Sequence, residues 1–328
     1  MARKKKERVP ETYPIFDGHN DALISLRRLK GRFTTRRNGA NHQITLPQMR
    51  QGNVVASFWA VFIEPGRKPE EAQRETIKGL KEYHRFLNRH QKSFRLALRA
   101  SDVDQARRER KIAVLLHLEG FGCLDRQFRG LEEVYRLGVR SIGLTWNGEN
   151  QLATGVGGDP RSALTRLGRE LIVRMNRMGM LIDLSHINEA GFWEILKVSR
   201  APVIESHGNC FSICPDPRNL KDDQLRALAA KKGVLGVFFS KKFLTGGKIA
   251  TLEDVCKHLC HAVRVAGIES VGIGSDFGGI VSGVPDGLEN IGKLPSLFRV
   301  MRAKGYSKTD LERISFGNFY RVVKEVLG

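Results

Sequence analysis

Short apolar runs alternate along the chain with longer segments in which apolar residues recur every three or four positions. The first pattern is typical of strands buried on both faces, and the second of helices that bury one side. Eight runs rich in Val, Ile, Leu or Phe are predicted as strands: 14–21, 54–63, 111–119, 140–145, 180–186, 202–207, 233–239 and 270–276. Their alternation with helical segments predicts βα units and a parallel sheet.

Two of the helical segments carry start or stop signals. One apolar stripe begins at Leu164 and ends at Gly179, a residue type favoured where helices terminate. Another segment begins with Thr251 and Asp254, which have the spacing of a capping box, and stops at Gly267. These signals support helices between the predicted strands.

Eight strands and about eight helices predict an α/β protein with a single closed (β/α)8 barrel of the TIM type. The open, doubly wound sheet is the structural alternative. It lacks its usual motifs here, because no dinucleotide-binding glycine fingerprint follows the first strand and no G-x-x-x-x-G-K-[ST] loop is present. Since no linker rich in Pro, Gly or Ser divides the chain, we predict a basic tail over residues 1–13 and one catalytic domain over 14–328.

The composition excludes intrinsic disorder, because 41% of the 328 residues are hydrophobic and are spread evenly along the chain. The net charge is +20, from 55 Lys+Arg and 35 Asp+Glu. A basic surface of this kind attracts nucleic acid, anionic lipid or acidic substrates. The basic residues are dispersed, however, and no zinc-finger, RRM-like or basic-zipper pattern occurs, so a solvated basic face is the favoured interpretation and nucleic acid is not a favoured partner.

The chain has no apolar stretch of membrane-spanning length, and its first residues lack the apolar core of a signal peptide. We therefore predict a cytoplasmic protein that does not enter membranes. The five cysteines are odd in number and sparse, as expected of reduced thiols. Cys256 and Cys260, with His258 and His261 nearby, suggest a metal site as an alternative, but thiols packed on a helix are favoured because no second ligand cluster is close in sequence.

Metal-binding residue types occur where the predicted strands end. They are His19 and Asp21 in the first run, Glu119 in the third, His186 in the fifth, His207 in the sixth and Asp276 in the eighth. The carboxyl ends of barrel strands form the active-site face, so these side chains are expected to meet. Three imidazoles with two or three carboxylates suit zinc better than magnesium, and they suffice for two ions bridged by a carboxylate.

Other polar residues are placed to support these ligands. Asp183 precedes His186 and Glu205 precedes His207, in positions to orient the imidazoles. Strand alternation points His117 the same way as Glu119, and Glu205 the same way as His207, one layer deeper in the barrel. We therefore expect His117 and Glu205 each to make a buried hydrogen bond, to one another, to other groups or through water. The predicted supporting residues are Asp17, His117, Asp183 and Glu205.

Seven short motifs, in this order, resemble those of the renal, or membrane, dipeptidases. They are FDGHND at 16–21, HLEG at 117–120, LTWN at 144–147, DLSH at 183–186, SH at 206–207, PRNL at 217–220 and GSDF at 274–277. The resemblance spans about residues 14–325. It implies a metal-dependent hydrolase with a (β/α)8 barrel that cleaves dipeptides.

The resemblance also implies the composition of the centre. His19, Asp21 and Glu119 would hold one zinc ion, and Glu119 would bridge it to a second ion held by His186 and His207. A hydroxide bridging the two ions would attack the peptide carbonyl. The catalytic residues are then Glu119, as the bridge, and Asp276, which corresponds to the family's acid/base residue.

For the substrate, the resemblance implies that Arg218 grips the free C-terminal carboxylate, which suits the bidentate geometry of a guanidinium. Trp146 and Asn147 are the other predicted substrate-binding residues. Two positions depart from the family pattern: Gly278 stands where a second acidic residue is frequent, and Trp146 where animal members carry a histidine. The secretion signal and lipid-anchor tail of animal members are not expected in this protein.

The predicted substrates are L,L dipeptides and, as the family tolerates, dipeptides with a D-residue at the C-terminal position. Two alternatives stay open: a metal-dependent hydrolase of another small amide, lactam or ester, and a basic RNA-binding scaffold without catalysis. Whether the protein forms a homodimer also stays open.

Overall fold

Eight parallel strands form a closed barrel in the computed structural model. The structure describes residues 12–35, 42–64, 66–122, 128–247 and 249–328. The described strands are β1 Ile15–Asn20, β2 Val54–Phe62, β3 Phe94–Leu96, β4 Ile112–Glu119, β5 Val139–Gly143, β6 Leu181–Asp183, β7 Ile204–Gly208, β8 Val234–Val237 and β9 Val271–Ile273. The ring runs β1-β2-β4-β5-β6-β7-β8-β9 and closes by pairing β9 with β1. The short β3 pairs only with β4, outside the ring. The predicted barrel is thus confirmed. The basic tail was predicted over residues 1–13, and of these the structure describes only residues 12 and 13.

Helices surround the barrel. Those in the described residues are α1 Ala22–Leu29, α2 Leu46–Gln51, α3 Pro69–Arg89, α4 Ala100–Arg108, α5 Arg129–Arg136, α6 Arg166–Arg177, α7 Glu189–Val198, α8 Asp222–Ala230, α9 Lys241–Thr245, α10 Leu252–Ala266, α11 Leu294–Ala303, α12 Lys308–Glu312 and α13 Asn318–Leu327. A π-helical turn, Arg313–Gly317, joins α12 to α13. In these parts of the chain, no helix combines the length and apolar character needed to cross a bilayer.

The residues predicted to begin and end two of the helices do so in the structure. The Asp254 carboxylate accepts bonds from the backbone N–H and the hydroxyl of Thr251, at 2.9 and 3.0 Å, where α10 begins. Gly179 follows α6 and Gly267 follows α10, and both have a positive φ, of 63° and 84°. Glycine adopts this backbone conformation at little cost, so each residue ends its helix.

Aromatic side chains fill the amino-terminal end of the barrel. The Phe16 ring, on β1, packs against Phe58 on β2 at 5.5 Å and stacks on Phe319 of α13 at 5.7 Å. Gly18 accommodates this packing, because a β-carbon there would lie 2.3 Å from the Phe319 ring. One end of the barrel is therefore closed by apolar contacts, and polar side chains gather at the other end.

Two predicted strands are longer in the sequence pattern than in the structure. The runs 180–186 and 270–276 contain only the three-residue strands β6 and β9. His186 and Asp276 lie beyond the strands, with φ of 70° and 57°. Because this left-handed conformation breaks the pleat, strand alternation does not predict where their side chains point.

Candidate metal centre and substrate cavity

The six predicted metal-binding and acid/base residues meet at the carboxyl end of the barrel. His19 and His207 lie within β1 and β7, Asp21 follows β1 directly, and Glu119 ends β4. The loops after β6 and β9 bring in the remaining two, His186 and Asp276. A backbone hydrogen bond ties two of these segments together, since the Asp276 N–H donates to the His19 carbonyl at 2.9 Å. All of these side chains are buried or nearly so.

One group of ligand-type atoms surrounds the His19 imidazole. Its Nε2 lies 3.7 Å from Glu119 Oε2, and 3.9 Å from both Asp21 Oδ2 and Asp276 Oδ1. This nitrogen is fully buried and has no hydrogen-bond partner among the described residues. An orphaned buried nitrogen facing three carboxylates is the arrangement expected of a metal ligand.

A second group forms on the other oxygen of the same carboxylate. Glu119 Oε1 lies 2.9 Å from His186 Nε2 and 3.6 Å from His207 Nε2, and these two nitrogens are 2.9 Å apart. Glu119 therefore presents one oxygen to each group. The ligand atoms of His19, Asp21 and Glu119 lie within 4.8 Å of one another, as do those of Glu119, His186 and His207.

Hydrogen bonds on the far side of the rings orient two of the imidazoles. His186 Nδ1 lies 2.7 Å from Asn147 Oδ1, which can only accept, so Nδ1 carries the proton. His207 Nδ1 lies 2.9 Å from Ser206 Oγ, whose hydroxyl donates to Asp183 and must accept from the ring. Each ring then turns an Nε2 lone pair toward Glu119, as metal binding requires.

Burial governs the charge state of the cluster. It lowers the pKa of His19, His186 and His207 well below the usual value, which keeps them neutral. Burial, reinforced by neighbouring carboxylates, raises the pKa of Glu119 well above its ordinary range. Crowded buried carboxylates beside neutral imidazoles suit a divalent cation, so the residues present fit zinc.

Two predicted supporting residues have partners other than those expected. Asp183 does not bond His186; it accepts from the backbone N–H groups of Ser185 and Ser206, at 3.1 and 2.8 Å. Asn147 holds His186 instead, because the left-handed backbone at position 186 turns the ring away from β6. Glu205 pairs with Arg218 Nη1 at 2.9 Å rather than with the adjacent imidazole.

The deeper polar layer is hydrogen-bonded as expected. His117 Nδ1 lies 3.0 Å from Ser141 Oγ, and its Nε2 lies 3.4 Å from the Asp183 carboxylate. His117 and Glu205 are both buried, and they bond to these separate partners rather than to one another. Asp17 accepts from the Ser275 N–H and hydroxyl at 2.8 and 2.9 Å, which ties β1 to the turn that carries Asp276.

A cavity of about 300 Å³ opens above the metal-binding atoms. The predicted substrate residues Arg218, Trp146 and Asn147 all line it. Arg218 is 4% exposed, donates to Glu205 and to the His207 carbonyl, and leaves its Nε without a partner in the described residues. The sequence motifs did not single out other lining residues, including Phe62, Ser240, Lys242, Phe243 and Ile280. Their position at the end of β2 and in the segments after β8 and β9 was the available signal.

The alternative site on α10 has its histidines engaged elsewhere. His258 Nδ1 accepts from the Cys210 N–H at 3.1 Å, and its Nε2 donates to the Leu244 carbonyl at 3.1 Å. His261 Nε2 lies 2.7 Å from the Asp222 carboxylate. Burial also raises the pKa of the Cys256 thiol to about 12, which disfavours the thiolate form that metals bind.

Comparisons with known proteins agree with this geometry. The model of one family, described as membrane dipeptidase (peptidase family M19), matches residues 3–327. An uncharacterized dipeptidase of Schizosaccharomyces pombe is 33% identical, with 99% of this chain and 83% of that protein covered.

Two solved structures are similar over nearly the whole chain. One is dipeptidase AC, a metallopeptidase of family M19, with a TM-score of 0.90, 29% identity, and coverage of 97% of this chain and 100% of that one. The other is a metallopeptidase of Rhodobacter sphaeroides bound to a phosphinate mimic of the dipeptide L-Ala-D-Ala. Its TM-score is 0.90 at 27% identity, with 96% of this chain and 100% of that chain covered.

Proposed function

The chain belongs to the membrane dipeptidase family, peptidase family M19, and is thus a metal-dependent dipeptidase; from this premise we propose that it works with two zinc ions bridged by Glu119. The main support for this proposal is that the two oxygens of the Glu119 carboxylate face different histidines. One oxygen faces His19 and the other faces His186 and His207. In the proposed centre, His19 and Asp21 complete one ligand set, and His186 and His207 complete the other.

Zinc bound there would polarise the scissile carbonyl and lower the pKa of water to about 7, which supplies a nucleophile at neutral pH. The protein side chains then have two tasks. They hold the dipeptide in register, and they move one proton to the leaving amine.

Arg218 is the proposed anchor for the C-terminal carboxylate. Its guanidinium lies at the cavity wall, and its buried Nε has no hydrogen-bond partner among the described residues. Burial raises the pKa of its partner Glu205 to about 8, although Arg218 itself opposes this shift.

Asp276 is the proposed proton carrier. It lies 3.9 Å from His19 Nε2 at the edge of the ligand cluster and faces the cavity. Burial, with the nearby Asp21 carboxylate, raises the pKa of Asp276 well above its ordinary value. A carboxyl group that holds a proton beside the reacting atoms can pass it to the leaving amine.

Trp146 and Asn147 also line the cavity, and Asn147 serves substrate and metal together because it orients His186 as well. A cavity of about 300 Å³ suits a small ligand such as a dipeptide. The L-Ala-D-Ala mimic bound by the Rhodobacter sphaeroides enzyme supports substrates with a D-residue at the C-terminal position, alongside L,L dipeptides.

The test is amine release from a panel of L,L and L,D dipeptides by zinc-loaded protein. Glu119→Gln replaces one oxygen of the carboxylate that joins the two ligand sets by an amide nitrogen and removes its negative charge, so we expect turnover to fall by more than about 100-fold. Glu132→Gln alters an exposed carboxylate on α5 and should retain full turnover.

The result has a clear contrary outcome. If zinc-loaded protein releases no amine from any dipeptide, the proposed reaction is wrong. Turnover of an amide, lactam or ester substrate in the same preparation would then identify the alternative hydrolase.

A further inference from the structure

The walls of the substrate cavity come from opposite sides of the barrel. Around the eight-strand ring, three strands separate β2 from β7 in either direction. Phe62 ends β2, and Arg218 follows β7. A dipeptide anchored by its C-terminal carboxylate at Arg218 therefore extends its N-terminal residue toward Phe62.

The wall on the Phe62 side is aromatic. The rings of Phe62 and Trp146 meet edge to face with centroids 5.1 Å apart, and Trp146 also lies 5.9 Å from the His186 ring. Phe62 is 37% exposed although it is a large apolar residue. Such a pair offers an apolar surface to a substrate side chain next to the metal-binding residues.

The wall on the Arg218 side carries a second cation. Lys242, on α9 after β8, lines the same cavity, and its ammonium lies 5.0 Å from the Phe243 ring centroid. In the described ranges no carboxylate lies within ion-pair distance of Lys242. The adjacent Lys241 differs, since it lies outside the cavity lining and pairs with Asp286 at 3.5 Å.

Two cations on one wall are more than a single carboxylate requires. We propose that the site selects dipeptides with an acidic C-terminal residue and an apolar N-terminal residue. Arg218 binds the main-chain carboxylate, Lys242 binds the side-chain carboxylate, and the Phe62–Trp146 pair contacts the N-terminal side chain. This inference rests on the proposed dipeptidase function and specifies its substrate class.

The distinguishing experiment compares Leu-Asp with Leu-Asn, which have nearly the same shape and differ in side-chain charge. We expect kcat/KM of the protein for Leu-Asp to exceed that for Leu-Asn by about tenfold at low salt. The preference should shrink as NaCl is added, because Lys242 is exposed and its charge is screened.

Three variants test the proposed role of Lys242. Lys242→Met keeps the length of the side chain and removes its charge, so the Leu-Asp to Leu-Asn ratio should fall close to one, mainly through KM for Leu-Asp. Lys242→Arg should restore the preference. Lys241→Met, the matched control, should keep the ratio of the unmodified protein.

The outcomes separate this inference from the function on which it rests. Hydrolysis of both dipeptides at equal rates, or a preference that survives Lys242→Met, would overturn the inference and leave the dipeptidase function standing. Failure to hydrolyse either dipeptide, or any other in the panel, would overturn the proposed function itself.

Discussion

At the residue scale, the centre depends on what lies behind each imidazole. His186 and His207 donate their Nδ1 protons to Asn147 and Ser206, which leaves both Nε2 atoms free. His19 Nδ1 lies 3.4 Å from the same Ser206 hydroxyl. The sequence motifs predict that Asn147 contacts the substrate, and the structure adds a contact to His186, a proposed metal ligand.

Asn147→Ala tests this added role. Without its acceptor, the His186 ring is no longer held in one tautomer and orientation, so we expect zinc affinity to fall by about 10- to 100-fold. Asn147→Asp keeps an acceptor oxygen at the same place and should bind zinc nearly as well as the unmodified protein. Zinc affinity is measured by competition with a chelating dye.

The contrary result is equally informative. Unchanged zinc affinity in Asn147→Ala, with KM for dipeptides raised, would restrict Asn147 to contact with the substrate.

At the element scale, the segments that follow the strands supply several of the proposed site residues. His186, Arg218 and Asp276 lie in loops after β6, β7 and β9, and Lys242 lies on α9 after β8. Contacts to neighbouring elements hold these segments in place. His258 on α10 makes one such contact, because it bonds both the loop after β7 and the end of α9. This loop carries Arg218, so α10 supports the substrate cavity from outside.

His258 gives a pH dependence of stability. Burial lowers its pKa from 6.5 to about 4. Between those values the unfolded chain binds a proton that the folded protein does not, so the free energy of unfolding falls as the pH decreases. At about 1.4 kcal/mol per pKa unit, this one group accounts for about 3 kcal/mol between pH 7 and pH 4.

Denaturant unfolding of the protein and of His258→Gln at both pH values checks this sign and size. The stability difference between the two proteins should be about 3 kcal/mol smaller at pH 4 than at pH 7. A difference that stays the same at both values would show that His258 does not titrate in this range.

At the scale of the whole molecule, the metal centre joins distant parts of the chain. Its proposed ligands lie between residues 19 and 207 and close the polar end of the barrel, opposite the aromatic packing around Phe319. A ligand that binds only the folded state stabilises it, by about 2.7 kcal/mol at a free concentration 100 times Kd. Zinc should therefore raise the melting temperature of chelator-treated protein.

The location of this effect is tested by variants of the two candidate sites. His207→Ala should reduce the zinc-induced shift in melting temperature strongly, whereas Cys260→Ser should leave it intact. The reverse pattern would move the stabilising metal from the barrel to α10.

The amino-acid pattern alone was enough to predict the eight barrel strands and the residues near their ends. Both can be recognised in the sequence because apolar runs and the polar residues at their ends are local features. The order of the short motifs indicated the family. The sequence also predicted that His117 and Glu205 would be buried and hydrogen-bonded, since alternation within a regular strand places side chains reliably.

Which of these groups touch depends on how the chain folds. The partners of Asp183, Glu205 and His186, and the placement of Lys242 in the same cavity as Arg218, arise from contacts between different strands and the loops that follow them. The short strand β3 pairs with β4 outside the ring. Left-handed backbone at His186 and Asp276 breaks the alternation on which a sequence pattern relies. Contacts between residues far apart in the chain leave no periodic pattern in the sequence, so the proposed metal ligands could be predicted by residue type, whereas their partners could not.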